Sequence, residues 1–397
     1  MEFTVDPNVL ELAQRVRRFV DEVAAPAEAE TGPHGPDEDL RRSLQSRARG
    51  QGLFAPQLPS CLGGLGLDHR GQAIVFEAAG RSWLGPLALN CAAPDEGNMA
   101  LLSRIATPVQ QERYLVPLAE GRIRSCFAMT EPAPGAGSDP SMLATRATRV
   151  SGGWRIEGRK WFITGTVGAS VAIVMARTAE AITRDEGATM FLVETTDPAW
   201  QVVRVVGCLD SLAPGGHAEV ELAGCVVTDD AVLGEVGLGL RYAQTRLGPA
   251  RLTHCMRWLG LAQRAHEIAC TRAAERRAFG APIGDLGLAQ QLISDSAVDL
   301  HTARLTIWHA AWTLDRGGRG GREASLAKLH VAEAVWRVVD RAVQICGSLG
   351  TSEDLPLARF LTELRPFRIY DGPTETHRWS IARREVRAGG VAAWAGG

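Results

Sequence analysis

The chain has 397 residues, material for roughly two or three domains, and an ordinary composition with 45% hydrophobic and 22% charged residues. A net charge of −2 and scattered arginines exclude an electrostatic surface for nucleic acid or an anionic membrane. The eight cysteines form no Cys-x-x-Cys pair, and no apolar run approaches the roughly 20 residues that span a bilayer. We therefore expect a cytoplasmic protein with reduced thiols, no metal site, and no nucleic-acid or membrane partner.

The first 122 residues are predicted to be mostly helical. Between residues 9 and 23, apolar side chains recur at the i, i+3, i+4 spacing of one buried helix face. The same pattern predicts further helices over residues 40–49, 67–83, 98–105 and 109–120.

From residue 123 to about 234, the pattern changes to short β-strands separated by turns. Ser-Gly-Gly at residues 151–153 is a hairpin signal between two of these strands. The predicted strands cover residues 125–129, 144–150, 154–156, 160–164, 171–178, 189–194, 201–206 and 218–222. So many short strands predict a compact sandwich or barrel, and the lack of βαβ alternation argues against a Rossmann domain.

The remaining chain is helical again, in long segments. Helices are predicted over residues 241–275, interrupted around Gly248-Pro249, and over 288–315 and 323–346. Another helix is predicted to begin with Pro373 in its first position. The predicted fold is α+β: an N-terminal α-helical domain (1–122), a middle β-sandwich or barrel domain (123–234) and a C-terminal four-helix-bundle domain (235–397).

Asp371 is the first candidate for catalysis. An apolar and aromatic segment delivers this carboxylate to a Gly-Pro break, after which a helix is predicted to begin. A carboxylate at such a junction can serve as a general base. On this segment alone, a helix-capping role is the more common reading of such an acid.

Five motifs, in this order, resemble the acyl-CoA dehydrogenase family over nearly the whole chain. They lie at residues 129–139 (beginning Met-Thr-Glu-Pro), 160–165 (Lys-Trp-Phe-Ile-Thr-Gly), 275–280 (Glu-Arg-Arg-Ala-Phe-Gly), 344–347 (Gln-Ile-Cys-Gly) and 369–372 (Ile-Tyr-Asp-Gly). The resemblance implies the predicted domain order and bound FAD. It also implies α,β-dehydrogenation of an acyl-CoA thioester, with an electron-transfer flavoprotein as electron acceptor.

The resemblance also implies roles for individual residues. Asp371 stands where the family has its catalytic Glu, and would remove the α-proton. Contacts with FAD are implied for Phe127, Met129, Thr130, Ser138, Phe162, Thr164, Arg276, Phe279, Gln344, Ser348 and Thr374. Contacts with the substrate are implied for Ser138, Arg251 and Tyr370. The segments around Arg276 and Gln344 reach FAD across a subunit interface in the family, which implies a homodimer or homotetramer.

Ordinary structural roles remain open for several of these residues. Thr130 and Thr164 are also ordinary strand threonines. The alternative for Arg276 is a solvated helix arginine, and the alternative for Arg251 is a structural salt bridge instead of a place near CoA.

The chain departs from the common family pattern at the base. Asp371 is one methylene shorter than Glu, about 1.5 Å of reach. Another branch of the family carries its base on the long helix, just before an Arg. Ala250 stands at that position here, beside Arg251, and an alanine cannot act as a base. Segments 90–99 and 246–257 resemble a branch with Asp at the base position, which is linked to hydroxylated or otherwise unusual acyl chains. Our own inference is that Asn90, Asp95 and Asn98 suit such a hydroxyl, with Asn98 as the substrate contact, and a capping or turn role is equally open.

Other functions remain open at this stage. A flavin oxidase or monooxygenase is one, since nitroalkane oxidases also have Asp at the base position. A dehydrogenase of acyl chains on a carrier protein is another. Fast reoxidation by air would favour the first, and activity on acyl-carrier protein but not on acyl-CoA would favour the second. A catalytically inactive flavoprotein scaffold is disfavoured by the intact carboxylate at position 371.

Overall fold

The computed structural model describes residues 3–32, 35–179, 186–210, 213–318 and 320–390. The outermost residues of the predicted terminal domains, 1–2 and 391–397, lie outside these ranges. The helices are α1 Pro7–Phe19, α2 Glu38–Gly50, α3 His69–Ala79, α4 Leu84–Ala88, α5 Asp95–Ile105, α6 Pro108–Gln110, α7 Val116–Ala119, α8 Gly239–Glu275, α9 Gly287–Asp315, α10 Gly321–Cys346, α11 Leu357–Leu364 and α12 Thr374–Arg387.

The strands lie between α7 and α8, apart from a short pair that follows α8. They are β1 Ser125–Ala128, β2 Arg146–Val150, β3 Gly153–Thr164, β4 Val171–Arg177, β5 Ala188–Glu194, β6 Trp200–Val206, β7 His217–Thr228, β8 Val232–Leu233, β9 Arg277–Ala278 and β10 Ala281–Pro282. The predicted order of helical, β and helical segments is therefore confirmed.

Side-chain caps explain where the early helices begin. Asp6 accepts a hydrogen bond from the backbone N–H of Asn8 at the start of α1, with a proline in the first turn. Asp37 and Asp68 cap α2 and α3 in the same way. These aspartates satisfy backbone donors that the first helical turn leaves without a partner.

One eight-stranded mixed sheet forms the β segment, in the order β6-β7-β3-β2-β4-β5-β8, with β1 paired in parallel to β4. The strands predicted separately at 154–156 and 160–164 are one strand, β3. Its pairing with β7 shifts register between Ile156 and Glu157 and again between Lys160 and Ile163. These irregularities account for the apparent break in the sequence pattern.

Apolar side chains cover both faces of the sheet centre. Along β4, Val171, Ile173 and Met175 belong to one core cluster. The alternate residues of β4, such as Val174, belong to a second cluster. Because successive side chains point to opposite faces of a strand, β4 is buried on both sides and its sequence is continuously apolar.

The internal contacts divide the chain into two compact units. The first contains Met1–Glu28, Leu67–Pro86 and Arg251–Gly397, and the second contains Ala29–Gly66 and Leu87–Ala250. In the first unit, α3 packs against α1 and α9, and α10 packs against α9, α11 and α12. The second unit contains the eight-stranded sheet. The domain boundaries at residues 122 and 234 remain a prediction from the sequence.

Two details of the helix predictions are wrong. α8 continues through Pro249 instead of breaking there. Buried residues flank the proline, among them Ala243 and Leu252, so the loss of one backbone hydrogen bond does not end the helix. Pro373 is the N-cap residue of α12 and not its first helical residue, because its ψ of 152° is still extended. None of the described helices is long and apolar enough to cross a membrane.

Candidate active-site residues

Asp371 lies at a sharp backbone junction before α12. Its φ is +53°, and that of Gly372 is +95°. Aspartate tolerates the left-handed region better than most side chains. A Cβ atom at position 372 would lie 2.9 Å from Nε2 of His377, so glycine is required there. The Asp-Gly sequence is therefore the local cause of this turn.

The carbonyl oxygen of Asp371 is held from two sides. It accepts hydrogen bonds from Nε of Arg251 at 2.9 Å and from Nε2 of His377 at 3.2 Å. Burial, with the nearby charges of Arg251 and Lys328, lowers the pKa of His377 to about 4. The imidazole is therefore neutral near pH 7, and Nε2 carries its single proton because a carbonyl can only accept. These two donors fix the peptide from which the Asp371 side chain projects.

The Asp371 carboxylate is paired with His254. Nε2 of His254 lies 3.3 Å from Oδ2 of Asp371, and both side chains are mostly buried. The His254 ring packs 4.9 Å from the ring of Tyr370, whose hydroxyl accepts a hydrogen bond from Trp258 Nε1 at 2.6 Å. Sequence reasoning gave His254 no role. Its signal was the 3 and 4 spacing of Arg251, His254 and Trp258, which puts all three on one face of α8.

Lys328 was also missed. It is buried on α10, and its ammonium group donates to the carbonyl oxygens of Phe367 at 2.6 Å and Gly372 at 3.4 Å. Burial lowers its pKa to about 8, while the charge of Asp371 is among the influences that oppose this shift. A lysine in the apolar pattern of α10, between Ala324 and Val331, was the available signal.

Thr374, predicted to contact FAD, lies in a hydrogen-bond network at the start of α12. It is 3% exposed, and its hydroxyl donates to Oε1 of Glu333 at 3.0 Å. Glu333 also accepts from Nε of Arg368 at 2.9 Å. This network joins α10 to the segment before Asp371.

In the second unit, Phe162 and Thr164 lie at the irregular end of β3. Phe162 has a φ of +54° and is 49% exposed, which is unusual for a large aromatic residue in a strand. Its ring stacks on Trp161 with centroids 4.7 Å apart. The hydroxyl of Thr164 lies 2.9 Å from Nδ1 of His217. The irregular pairing thus presents an aromatic face and a hydroxyl close together in the chain.

The segment containing Met129 and Thr130 runs beside β3. The Thr130 hydroxyl donates to the carbonyl oxygen of Trp161, whose own N–H donates back to Thr130. Behind them, Lys160 forms a fully buried ion pair with Glu131 at 2.8 Å and contacts the carbonyl oxygen of Met129 at 3.2 Å. The ion pair fixes the segment that carries Thr130.

Asn98, predicted to bind substrate, is completely buried in a polar network. Its Nδ2 donates to the hydroxyl of Ser125 at 2.9 Å, and its Oδ1 accepts from Nε of Arg246 at 2.8 Å. Asp95 accepts from both the backbone N–H and the hydroxyl of Ser125. The Arg246 guanidinium lies 4.2 Å above the half-buried ring of Phe127 on β1. The network therefore connects Asn98 to a residue predicted to contact FAD.

The other predicted site residues are exposed. Ser138 lies in the loop after Glu131, in the second unit. Four predicted FAD contacts are exposed in the first unit: Arg276, Phe279, Gln344 and Ser348. Phe279 is 94% exposed, with a φ of +54°. An aromatic ring held in this way is unusual for a surface that meets only water.

Comparison with protein families gives three consecutive matches. The N-terminal, middle and C-terminal domains of acyl-CoA dehydrogenases match residues 7–122, 126–221 and 237–386 respectively. A probable acyl-CoA dehydrogenase of Mycobacterium tuberculosis, FadE2, is 36% identical over 401 residues, covering 97% of each chain. The chain spans only half or less of the length of the vertebrate relatives it matches.

Solved structures show the same fold. Butyryl-CoA dehydrogenase from Megasphaera elsdenii has a TM-score of 0.88 and 25% identity, covering 98% of this chain and 100% of its own. PigA, solved as a complex with FAD, has a TM-score of 0.86 and 24% identity, covering 97% and 99% of the two chains. With three domains matched in order and a relative similar over its whole length, the chain belongs to the acyl-CoA dehydrogenase family of FAD-dependent oxidoreductases.

Proposed function

We propose that the chain binds FAD and removes hydrogen from Cα and Cβ of an acyl-CoA thioester, with Asp371 as the base. The observation that carries the proposal is the junction at Asp371. A non-glycine residue with φ of +53° is held there by Arg251 and His377, and its carboxylate contacts His254. A strained residue held by several contacts is a common feature of functional sites.

Each of these side chains would have a defined part in proton removal. Asp371 would accept the α-proton, which requires its carboxylate to be ionised and oriented. His254 would orient the carboxylate through its Nε2 atom. Arg251 and His377 would keep the backbone from shifting, because a displacement of about 1 Å can reduce a rate roughly a hundredfold. Arg251 is thus a positioning residue in this proposal, in addition to its predicted place near CoA.

The residues around the end of β3 fit the isoalloxazine ring of FAD. Phe162 offers an exposed aromatic face, and Thr130 and Thr164 offer hydroxyls beside it. Phe127 and Met129 are half-buried residues of the adjoining segment. When bound, FAD supplies the acceptor for the hydride that leaves Cβ. Aromatic and hydroxyl groups suit a flat ring whose edge carries hydrogen-bonding atoms.

The acyl chain is proposed to be hydroxylated or branched, with Asn98 as its polar contact. The network of Asp95, Ser125, Asn98 and Arg246 supports this, since it brings hydrogen-bonding groups next to the half-buried ring of Phe127. Ser138 and Tyr370 are further proposed substrate contacts.

The exposed residues of the first unit support a homodimer or homotetramer. Phe279 and Leu288 are 94% and 81% exposed, and Arg276 and Gln344 are also exposed. A second copy of the chain would cover these apolar groups and bring the Arg276 charge to bound FAD. Sedimentation or light scattering of the FAD-loaded protein would measure the assembly. An electron-transfer flavoprotein is the proposed electron acceptor.

Anaerobic bleaching of the bound flavin tests the function directly. Purified protein with FAD is mixed with acyl-CoA thioesters, the matching acyl-carrier-protein thioesters, and nitroalkanes. Bleaching by acyl-CoA is expected, and reduction only by nitroalkanes or only by carrier-bound chains would replace the proposal with one of its rivals. A protein that retains no FAD after incubation with the cofactor and removal of the excess would overturn it.

A further inference from the structure

In the second unit, the side chains of Asp210, His217 and Thr164 are hydrogen-bonded in a row. His217 is the first residue of β7 and is paired in register with Thr164 of β3 and with Val206 of β6. Its Nδ1 atom lies 2.9 Å from the Thr164 hydroxyl, and its Nε2 atom lies 3.2 Å from Oδ2 of Asp210. The side chains of His217 and Asp210 are only 13% and 19% exposed. Two flanking strands hold the imidazole between its two partners.

The three partners restrict where the protons lie. An ionised carboxylate only accepts hydrogen bonds, so Asp210 requires a proton on Nε2 of His217. A neutral imidazole has one N–H, which leaves Nδ1 as an acceptor. With the imidazole in this tautomer, the Thr164 hydroxyl donates its single hydrogen to Nδ1. The Oγ1 atom of Thr164 then has only lone pairs left, so it can accept a hydrogen bond from a further group but cannot donate one.

We propose that Asp210 and His217 fix Thr164 as a hydrogen-bond acceptor towards bound FAD, and so favour the reduced cofactor. The inference rests on the proposed function, and it assigns the Thr164 hydroxyl to N5 of the flavin ring. N5 carries a hydrogen in reduced FAD and a lone pair in oxidised FAD. An acceptor at Thr164 binds the first form and opposes the second. Asp210 and His217 are positioning residues, since they act through Thr164.

The same residues could be read as a metal site, because ligand atoms of Cys208, Asp210 and His217 lie within 4.8 Å of one another. The two readings make opposite predictions. A metal ion on Nε2 would force the proton onto Nδ1, and Thr164 would then donate outwards. Burial and the charge of Asp210 raise the pKa of the Cys208 thiol, and a metal ion would have to displace the thiol proton. Zinc binding and the position of the imidazole proton therefore distinguish the two arrangements.

Two measurements test the proposal. The first is the ¹⁵N spectrum of histidine-labelled apoprotein, with His217 assigned by its loss in His217→Phe. We expect a proton on Nε2 and none on Nδ1, and no bound zinc after incubation with zinc and desalting. The second is the ratio of the dissociation constants for reduced and oxidised FAD. In His217→Phe, Thr164 is released to donate, and this ratio should rise about tenfold, a fall of about 30 mV in the two-electron midpoint potential.

Further variants separate this role from a purely structural one. Asp210→Ala, which keeps the imidazole, should shift the ratio in the same direction by a smaller factor. In a Thr164→Val background, neither change should alter the ratio, because the hydroxyl that they control is gone. Cys208→Ala serves as the matched control and should leave the ratio unchanged. Thermal melting checks that each variant is folded.

Several results would overturn the inference. These are protonation of Nδ1, stoichiometric zinc that Cys208→Ala abolishes, or a ratio that stays within twofold of the parent in both His217→Phe and Asp210→Ala. An apoprotein that refuses FAD would overturn the proposed function as well. A protein that binds FAD and is bleached by acyl-CoA, yet is insensitive to these variants, would overturn only the role of Asp210 and His217.

Discussion

The two compact units each bury a lysine near a carboxylate of a predicted motif, and the two lysines are used in opposite ways. In the second unit, Lys160 pairs directly with the carboxylate of Glu131 at 2.8 Å. In the first unit, Lys328 donates to the backbone carbonyl oxygens of Phe367 and Gly372, on either side of Asp371. Burial lowers the pKa of each lysine to about 8, so the difference lies in the partners and not in the cations.

The partners decide what each acid is able to do. Glu131 accepts hydrogen bonds from three backbone N–H groups, those of Ala136, Ala144 and Thr145, as well as from Lys160. Burial works to raise its pKa, but the charge and hydrogen bond of Lys160, together with the hydrogen bonds from Thr145 and Ala144, lower it overall. Such a carboxylate holds its neighbours in place and is poorly suited to accept a proton. At Asp371 the cations hold the backbone, and the carboxylate itself contacts His254.

The largest expected effect is on the rate at the Asp371 junction. Asp371→Asn should slow flavin reduction by an acyl-CoA about a thousandfold, within the range by which a general base accelerates a reaction. Stopped-flow absorbance under anaerobic conditions measures this rate. FAD content and thermal midpoint should match those of the parent, because the amide keeps the shape of the side chain. Reduction as fast as in the parent would remove Asp371 from the mechanism.

Glu131→Gln should have the opposite pattern: its main effect should be a loss of stability, and not a slower flavin reduction. Removing one partner of a buried ion pair leaves the other charge uncompensated and costs about 3–5 kcal/mol. Urea unfolding, followed by tryptophan fluorescence, measures the loss. The double variant Glu131→Gln with Lys160→Met is the control and should recover part of it, because no buried charge remains. A stable single variant with a thousandfold lower rate would mean that the two acids have been assigned the wrong way round.

The contrast between these acids shows how far the sequence could predict the molecule. The helix of α10 and the strands around β4 follow from periodicity, since their packing faces repeat along the chain. The contact of His254 with Asp371 joins residues far apart in sequence, so no local pattern contains it. The Asp-Gly turn was visible only as a break, because Arg251, His377 and Lys328, which hold it, lie elsewhere in the chain. Pro249 was misread, because tertiary packing outweighed its local propensity.

The cations around Asp371 also predict a pH dependence of stability, which acts through His377. The pKa of His377 is about 4 in the folded chain, against 6.5 for an ordinary histidine. As the pH falls from 6.5 to 4, the unfolded chain takes up a proton that the folded chain refuses, and stability falls by about 3 kcal/mol. Above pH 7 both states are neutral, and the contribution does not change.

The variant His377→Gln isolates this effect, because glutamine keeps a donor for the carbonyl oxygen of Asp371 but does not titrate. Free energies of unfolding are measured from pH 4 to 8 for both proteins. The difference between the two curves should be constant above pH 7 and should change by about 3 kcal/mol below it. Parallel curves over the whole range would show that His377 is protonated as easily in the fold as outside it.

The smallest expected effect is on the selectivity for the acyl chain. It distinguishes a residue of the second unit that binds the substrate from one that only stabilises the fold. Asn98→Leu should lower kcat/KM for a hydroxylated acyl-CoA about tenfold more than for the plain chain, the effect of about one lost hydrogen bond. Asn90→Leu, from the same predicted segment, is the comparison variant, because backbone carbonyl oxygens accept both amide hydrogens of Asn90. Asn90 is also buried, and its amide donates to the carbonyl oxygens of Leu118 and Ala119. Both variants should lose stability, because each leaves buried polar groups without their partner.

Only Asn98→Leu should change the selectivity ratio. If both variants lose stability and neither changes the ratio, Asn98 supports the fold as Glu131 does, by fixing Arg246 and Ser125. The preference for a hydroxylated chain would then have to come from other residues. If the ratio falls for Asn98→Leu alone, Asn98 is held in place by its neighbours and still contacts the substrate. It would then resemble Asp371, which is held by Arg251 and His377 and is proposed to act on the substrate.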